Sequence, residues 1–264
     1  MDYDTFIVRP IDRETADSLC QDHSHAESLP NSSQHHMRLE IDGKVAGLAA
    51  WGYGIRPAHT PGHLFGDAGE VDDYFELTRF FVYDWVPKNT ASKFLSITHR
   101  MLEKYTNAKW LYTYAAGFQG VIGTIYQASN YDYIGTTKAG EFLYVPEFPG
   151  HDDGVLMHPI ALWHRWHEHG GGITHDKLAA LSKKFDQECY MWAGRNFRYI
   201  YWLCDDDERD RLLSHANFEV QDENPSMSDL EIWIEDVDGN TTPISPERAK
   251  QVPLIKVPSS DRNR

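Results

Sequence analysis

The clearest hydrophobic and polar pattern in the chain runs from Glu76 to Gly135. ELTRFFVYDWV (76–86) reads as a strand, and Pro87, Lys88 and Asn89 follow as a polar turn. Asn89 or Thr90 then offers a cap to ASKFLSITHRMLEKYT, where Phe94, Leu95, Ile97, Met101 and Leu102 recur at helical spacing. KWLYTYAA (109–116) predicts a buried strand, GTIYQASN (123–130) a short helix and YDYIGTTK (131–138) another strand. Upstream, FIVRPIDRETADSLCQDH starts as a strand and becomes a helix that Asp12 or Thr15 caps. The polar HSHAESLPNSSQHH reads as a loop, MRLEIDGKVAGLAAW as a hairpin about Asp42-Gly43, and residues 55–74 as a long Pro/Gly/His-rich loop over a site. Downstream, 141–157 reads as irregular, and 158–172 as a helix stopped by three glycines. A helix over 174–192, a strand over 197–204, an acid-started helix over 205–218 and a last hairpin or strand over 230–244 follow. The pattern predicts an α/β chain with one domain over 1–240 (core about 5–145, extension about 146–240) and a flexible, locally basic tail over 241–264.

Composition narrows the class. The 264 residues carry 40 acidic against 25 basic side chains, a net charge of −15, so attraction of the whole surface to nucleic acid is not expected. Binding to DNA needs a local basic groove, for which Arg56, Arg79, Lys88, Lys93, Arg100 and the tail are the candidates. No run reaches the roughly 18 apolar residues of a membrane span. The N-terminus lacks a signal pattern. Three scattered cysteines (Cys20, Cys189, Cys204) form no disulfide or zinc framework, so a cytoplasmic location is expected. Eight Trp, 14 Tyr and 12 Phe supply rings for a core or for stacking on bases.

A strand and turn that open a helix make an anion site, because first-turn N–H groups and the helix dipole favour phosphate there. VPKNTASKFL has that form, with Asn89, Thr90, Ala91 and Ser92 at the mouth and Lys88 and Lys93 supplying charge. It lacks a glycine-rich fingerprint, so an ordinary capped helix is the competing reading. Tyr126 lies just after a strand, where it serves either as a general acid to a leaving thiolate or as a packing residue. His23, His25, His35 and His36 share a loop, and His164, His167 and His169 one helix end, but H-E-x-x-H spacing is absent. Solvated or capping histidines are the plainer reading.

These stretches resemble, in order, the Mom family of bacteriophage DNA-modification proteins, a divergent branch of the GNAT acyltransferase fold. ELTRFFVYDWVPKNTASKFL is similar to the family's E-L-x-R strand and its turn with Asn and Ser. YTYAAGFQGVIGTIYQASN is similar to its S-Y-A-D and G-T-I-Y-Q-A-T-N stretch, and HSHAESLP, VAGLAAWGYG, MHPIALWHRWHEHGG and RNFRYIYWL fit its other parts. The resemblance covers roughly residues 15–220, with G-T-I-Y-Q-A the most specific piece. It implies a GNAT-like fold, a central mixed twisted sheet flanked by helices with a C-terminal extension. It also implies transfer of a small acyl- or carbamoyl-type group from acetyl-CoA or a related acyl-CoA to the exocyclic amine of adenine in DNA, which hides the DNA from restriction enzymes. Iron involvement has been proposed for the family. By the same resemblance, Arg79, Ser92 and Tyr126 are catalytic positions, Lys88–Lys93 face the cofactor pyrophosphate, and His23, His25, Tyr114, Thr124 and Gln127 lie near the target base.

Two positions depart from the family pattern: Ala116 stands where its Asp is expected, and Val121 where its His is expected. The Asp could orient the amine, accept its proton or bind metal. Its loss keeps three readings open: an inactive or altered DNA-modifying enzyme, an N-acyltransferase for a small cationic or protein amine, and a non-catalytic binding protein.

Overall fold

The computed structural model describes residues 4–22, 29–54, 56–159, 162 and 172–255. From the N-terminus its elements are β1 (Phe6–Ile11), α1 (Arg13–Asp22), β2 (Ser33–Ile41), β3 (Lys44–Gly52), α2 (Thr60–Phe65), β4 (Tyr74–Val82), α3 (Thr90–Tyr105), β5 (Trp110–Ala115), α4 (Thr124–Gln127) and β6 (Asp132–Thr136). There follow β7 (Gly140–Val145), β8 (Val155–Met157), α5 (His175–Phe185), β9 (Tyr190–Gly194), β10 (Phe197–Trp202), α6 (Asp206–Leu213), β11 (Ile232–Glu235), β12 (Thr241–Pro243), α7 (Pro246–Gln251) and β13 (Leu254–Ile255). Two compact units interleave along the chain: one takes the segments ending at Tyr114, Gly123–Gly135 and Arg198–Asn224, the other Ala115–Ile122, Thr136–Phe197 and the segment from Pro225. Among the described residues no helix is long and apolar enough to cross a membrane.

The first unit is built on a seven-stranded sheet in the order β1-β2-β3-β4-β5-β10-β6. β1 to β4 pair antiparallel, and β4 with β5 parallel. α3 is the crossover between those parallel strands, a connection that needs a helix. Alternation sorts the side chains. Ala49, Trp51, Phe75 and Leu77 meet Phe94, Leu95 and Leu102 of α3 on one face. On the other face Leu48, Ala50 and Phe81 meet Ala16 and Cys20 of α1, while Tyr74, Trp110 and Tyr112 meet Leu64 and Phe65 of α2. A bulge at Thr78 lets Ala50 pair with Arg79 while Trp51 pairs with Leu77. The extra residue keeps Arg79 and Phe81 on the face of Tyr74 and Glu76. This mixed sheet with its crossover helix is the GNAT-like fold.

The second unit holds a six-stranded sheet, β12-β11-β9-β7-β8-β13. Here the structure departs from the sequence expectation of an irregular stretch over 141–157. Phe142 and Tyr144 of β7 enter one apolar cluster, while Leu143 and Val145 enter another. A strand buried on both faces shows no alternation to read. Similarly, the helix expected over 174–192 stops at Phe185, where Asp186 turns left-handed (φ 55), and Tyr190–Gly194 continues as β9. The stretch read as a flexible tail instead supplies β12, α7 and β13 up to Ile255, with Ala249 and Val252 fully buried. The long loop read over 55–74 contains α2, whose Pro61 and Gly62 hide it from a propensity reading.

Candidate functional site

α3 begins beyond β4, and Asn89 at its N-cap adopts a left-handed conformation (φ 66) with no side-chain cap. Asn tolerates that backbone, and the result leaves the first-turn N–H groups without a side-chain acceptor. No acidic residue stands in that turn. Ser92 Oγ donates to the Asn89 carbonyl at 3.1 Å, and Lys93 N to the same carbonyl at 3.2 Å. Thr90 is 2 % exposed, and its Oγ1 lacks a partner. Lys88 is exposed, and Lys93 lies over the Phe6 ring at 4.2 Å. The turn therefore offers amide donors, hydroxyls and the exposed Lys88 ammonium, and the helix carries no acidic residue in its first turn. That donor set fits a phosphate or pyrophosphate.

Beside this turn the sheet opens. β4 and β5 pair only at Tyr74↔Trp110, Phe75↔Leu111 and Glu76↔Tyr112. Past Glu76, β4 continues to Val82 against β3, while β5 continues through Thr113 and Tyr114 with no ladder to β4. Unpaired strand edges present amide and carbonyl groups to an extended ligand. On the α3 face of this opening, Tyr126 of α4 packs against Tyr131 and Tyr199 and shares a hydrogen bond with Thr113 of β5. Burial pushes the Tyr126 hydroxyl above its ordinary range, so it holds its proton at neutral pH.

The opposite face carries a group that the pattern of the chain did not single out. Glu76 follows Tyr74 by two residues and so shares its face, turned toward the aromatic cluster of Tyr74, Trp110 and Tyr112. No hydrogen bond reaches its carboxyl among the described residues, and Gly54 (φ +68) leaves the space its carboxyl fills, where a Cβ would collide. Burial raises Glu76 to about 7. A carboxyl poised near neutrality, at the last paired position before the opening, has the properties of a general base. Its presence within E-L-x-R was the available signal, but a glutamate in an alternating strand reads as solvent-facing.

The other expected residues are distributed as follows. Arg79 faces α1: its Nη1 donates to the Thr78 carbonyl at 2.7 Å, its Nε is buried without a partner, and burial lowers it, partly offset by Cys20. Tyr114 is 38 % exposed, edge-on to the buried Tyr112 at 4.8 Å. Thr124 is exposed at the start of α4, and Gln127 Nε2 donates to the Tyr199 hydroxyl at 3.2 Å. Ala116 belongs to the second unit, where it precedes the turn Gly117–Gln119 and packs at the edge of the Phe118–Phe142 cluster. Val121 is exposed. His23 and His25 lie outside the described residues, as do His164, His167 and His169. Among the described residues no group of three or more His, Cys, Asp or Glu side chains is placed to hold a metal, so the iron expectation has no support here.

Comparison with known proteins bears on this arrangement. A methylcarbamoylase, mom, of Escherichia phage Mu is 25 % identical over 179 residues, 67 % of this chain and 70 % of that protein. A spermidine/spermine N-acetyltransferase of Vibrio cholerae aligns with a TM-score of 0.41 at 8 % identity, over 78 % of this chain and 99 % of that one. An aminoglycoside acetyltransferase solved with coenzyme A aligns with a TM-score of 0.35 at 11 % identity, over 51 % and 88 %. Residues 5–219, which include every element of the opened sheet, match the Mom protein family, and the chain belongs to that family.

Proposed function

We propose that this chain transfers a small acyl- or carbamoyl-type group from a coenzyme A thioester to the exocyclic amine of adenine in DNA. The observation that carries the reading is the pairing of a near-neutral carboxyl, Glu76, with a proton-holding phenol, Tyr126, on opposite faces of the sheet where β4 and β5 part. When bound, the thioester supplies an activated carbonyl carbon and a thiol leaving group. The first turn of α3 holds the pyrophosphate through the backbone N–H groups of Ala91 and Ser92, with the Ser92 and Thr90 hydroxyls beside them. The open edges of β4 and β5 align the extended arm that joins pyrophosphate to thioester. Glu76, as carboxylate, accepts the proton that the amine loses as its nitrogen bonds to the carbonyl carbon. Tyr126, oriented by Thr113, gives its proton to the departing sulfur. Position and the two proton transfers are the protein's contribution. Adenine in a duplex cannot reach such a site, so the target is flipped out or single-stranded.

Nucleoside mass spectrometry of plasmid DNA from cells expressing the chain tests this reading. We expect a new adenosine-derived mass and resistance of the plasmid to restriction enzymes that read adenine. Tyr126→Phe keeps the fold and lowers product by about 10²-fold or more, the usual worth of a general acid. Unmodified DNA from cells with abundant folded protein would overturn the DNA assignment, and a fully active Tyr126→Phe would overturn the acid.

A further inference from the structure

The face of the first unit that carries Glu76 holds a second unmatched group. Arg198 begins the part of β10 that belongs to this unit, and Ile200 and Trp202, two and four residues on, enter the same aromatic cluster as Tyr112 and Ile134. Alternation therefore puts Arg198 on that face. Tyr114 reaches it in the same way, two residues beyond Tyr112. β4, β5 and β10 are neighbours, so Glu76, Tyr114 and Arg198 stand on three consecutive strands with one orientation. Arg198 Nη2 donates to the Ile134 carbonyl at 2.9 Å. Its Nε is buried without a partner, and it forms no ion pair among the described residues. Among the other cations of the first unit, Lys109 is neutralised by Asp73 and Glu208, and Arg209 by Asp132, whereas Arg79, further along β4, shares with Arg198 the lack of an ion pair among the described residues. The charge of Arg198 reaches Tyr112, Tyr114 and His63 of α2, whose imidazole pKa burial lowers, with Arg198 adding to the shift.

We propose that Arg198 and Tyr114 are the specificity-determining residues of the acceptor side: Arg198 anchors an anionic group of the acceptor, and the half-exposed Tyr114 ring stacks on its planar amine-bearing base. A half-buried guanidinium whose Nε has no partner among the described residues has the chemistry for a phosphate. It also opposes a polyamine, because a polycation would meet one carboxyl and one unneutralised cation on the same face. Tyr112, buried beneath Tyr114 at 4.8 Å, fixes the ring's angle. This assignment rests on the reading of Glu76 as the group that takes the amine proton, and adds to it what the amine must be attached to.

The test measures binding of a short fluorescent oligodeoxyadenylate, and of an abasic oligonucleotide of equal length, at several salt concentrations. Arg198→Gln is expected to weaken both oligonucleotides alike and to reduce the salt slope by about one. Arg198→Lys, which keeps the charge, is expected to retain the slope. Tyr114→Ala is expected to weaken the adenylate roughly 5- to 150-fold, the worth of one stacked base, and to leave the abasic strand unchanged. An unchanged slope in Arg198→Gln, or equal losses on both strands in Tyr114→Ala, overturns the proposal. If the wild-type protein binds neither strand, the DNA reading fails, and thermal stabilisation by adenosine 5′-monophosphate against spermidine decides the acceptor chemistry. Stabilisation by the nucleotide that Arg198→Gln abolishes supports the anchor; stabilisation by spermidine alone, or by neither, overturns it.

Discussion

Glu76 gives the residue scale its sharpest consequence, because one carboxyl links activity to stability with opposite signs. Its folded value, about 7, lies above the ordinary 4.5 through burial. The folded chain therefore binds a proton between these values that the unfolded chain has lost. Its contribution to stability is greatest below pH 4.5, falls as pH rises to about 7 and is level above. Integrated, the shift is worth about 3 kcal/mol. Around it stand Tyr74, Tyr112 and Tyr114, which burial keeps protonated, the cation of Arg198, and His63, whose pKa burial lowers. We expect Glu76→Gln to melt higher than the wild type at pH 8, with the gain gone at pH 5, and to lose about 10²-fold or more in transfer rate. Wild-type kcat/KM should rise with pH through a midpoint near 7. A Gln variant with no stability gain at pH 8 would mean that the carboxyl is better solvated than its surroundings indicate.

At the scale of elements, α3 does two things with one helix. Its uncapped N-terminus faces the sheet's opening, and about two and a half turns further in, His99 is buried against Trp51, Tyr131 and Tyr201, its Nε2 within 2.9 Å of the Tyr131 hydroxyl. Burial drives His99 down to about 3. An unfolded imidazole takes up a proton near pH 6.5 and the folded one does not until about 3, so stability is complete above pH 6.5 and lost as pH falls. We expect about 3 kcal/mol of this loss by pH 4.5. His99→Phe should be less stable at pH 7.5 by about 1–3 kcal/mol, since it orphans the Tyr131 hydroxyl, yet should lose less between pH 7.5 and 4.5 in urea titrations. Equal acid sensitivity of the two proteins would remove His99 from that role. The run β4-α3-β5-α4-β6 was legible in the sequence because each element buries one face and so shows its period. β7 and β9 were not, since strands buried on both sides show none. Glu76 could not be seen as a base, because its depth depends on where Gly54 and β5 lie, both distant in sequence.

For the whole molecule the question is what the second unit contributes. The chain enters and leaves it repeatedly, and its sheet is completed by residues beyond the family match: β11 pairs with β9, and β13 with β8. Ala116 lies in this unit, at the position where the family resemblance leads one to expect an acid. The backbone there suits one. Ala116 stands at the N-cap of a short turn and accepts from Gln119 N and Val121 N through its carbonyl, while its side chain makes no cap. Aspartate is a favoured cap, which offsets the cost of setting a carboxylate at the edge of the Phe118–Phe142 cluster. Ala116→Asp should therefore fold, with a melting midpoint within a few degrees of the parent. Under the proposal that Glu76 takes the amine proton, we expect the yield of modified adenosine to stay within about threefold of wild type, a barrier change under 1 kcal/mol. A gain of about tenfold or more would overturn the assignment of the proton acceptor to Glu76. The comparison needs Glu76→Gln alone and together with Ala116→Asp. If the pair of changes restores what Glu76→Gln loses, the assignment of the proton acceptor to Glu76 falls; if activity stays lost, it stands.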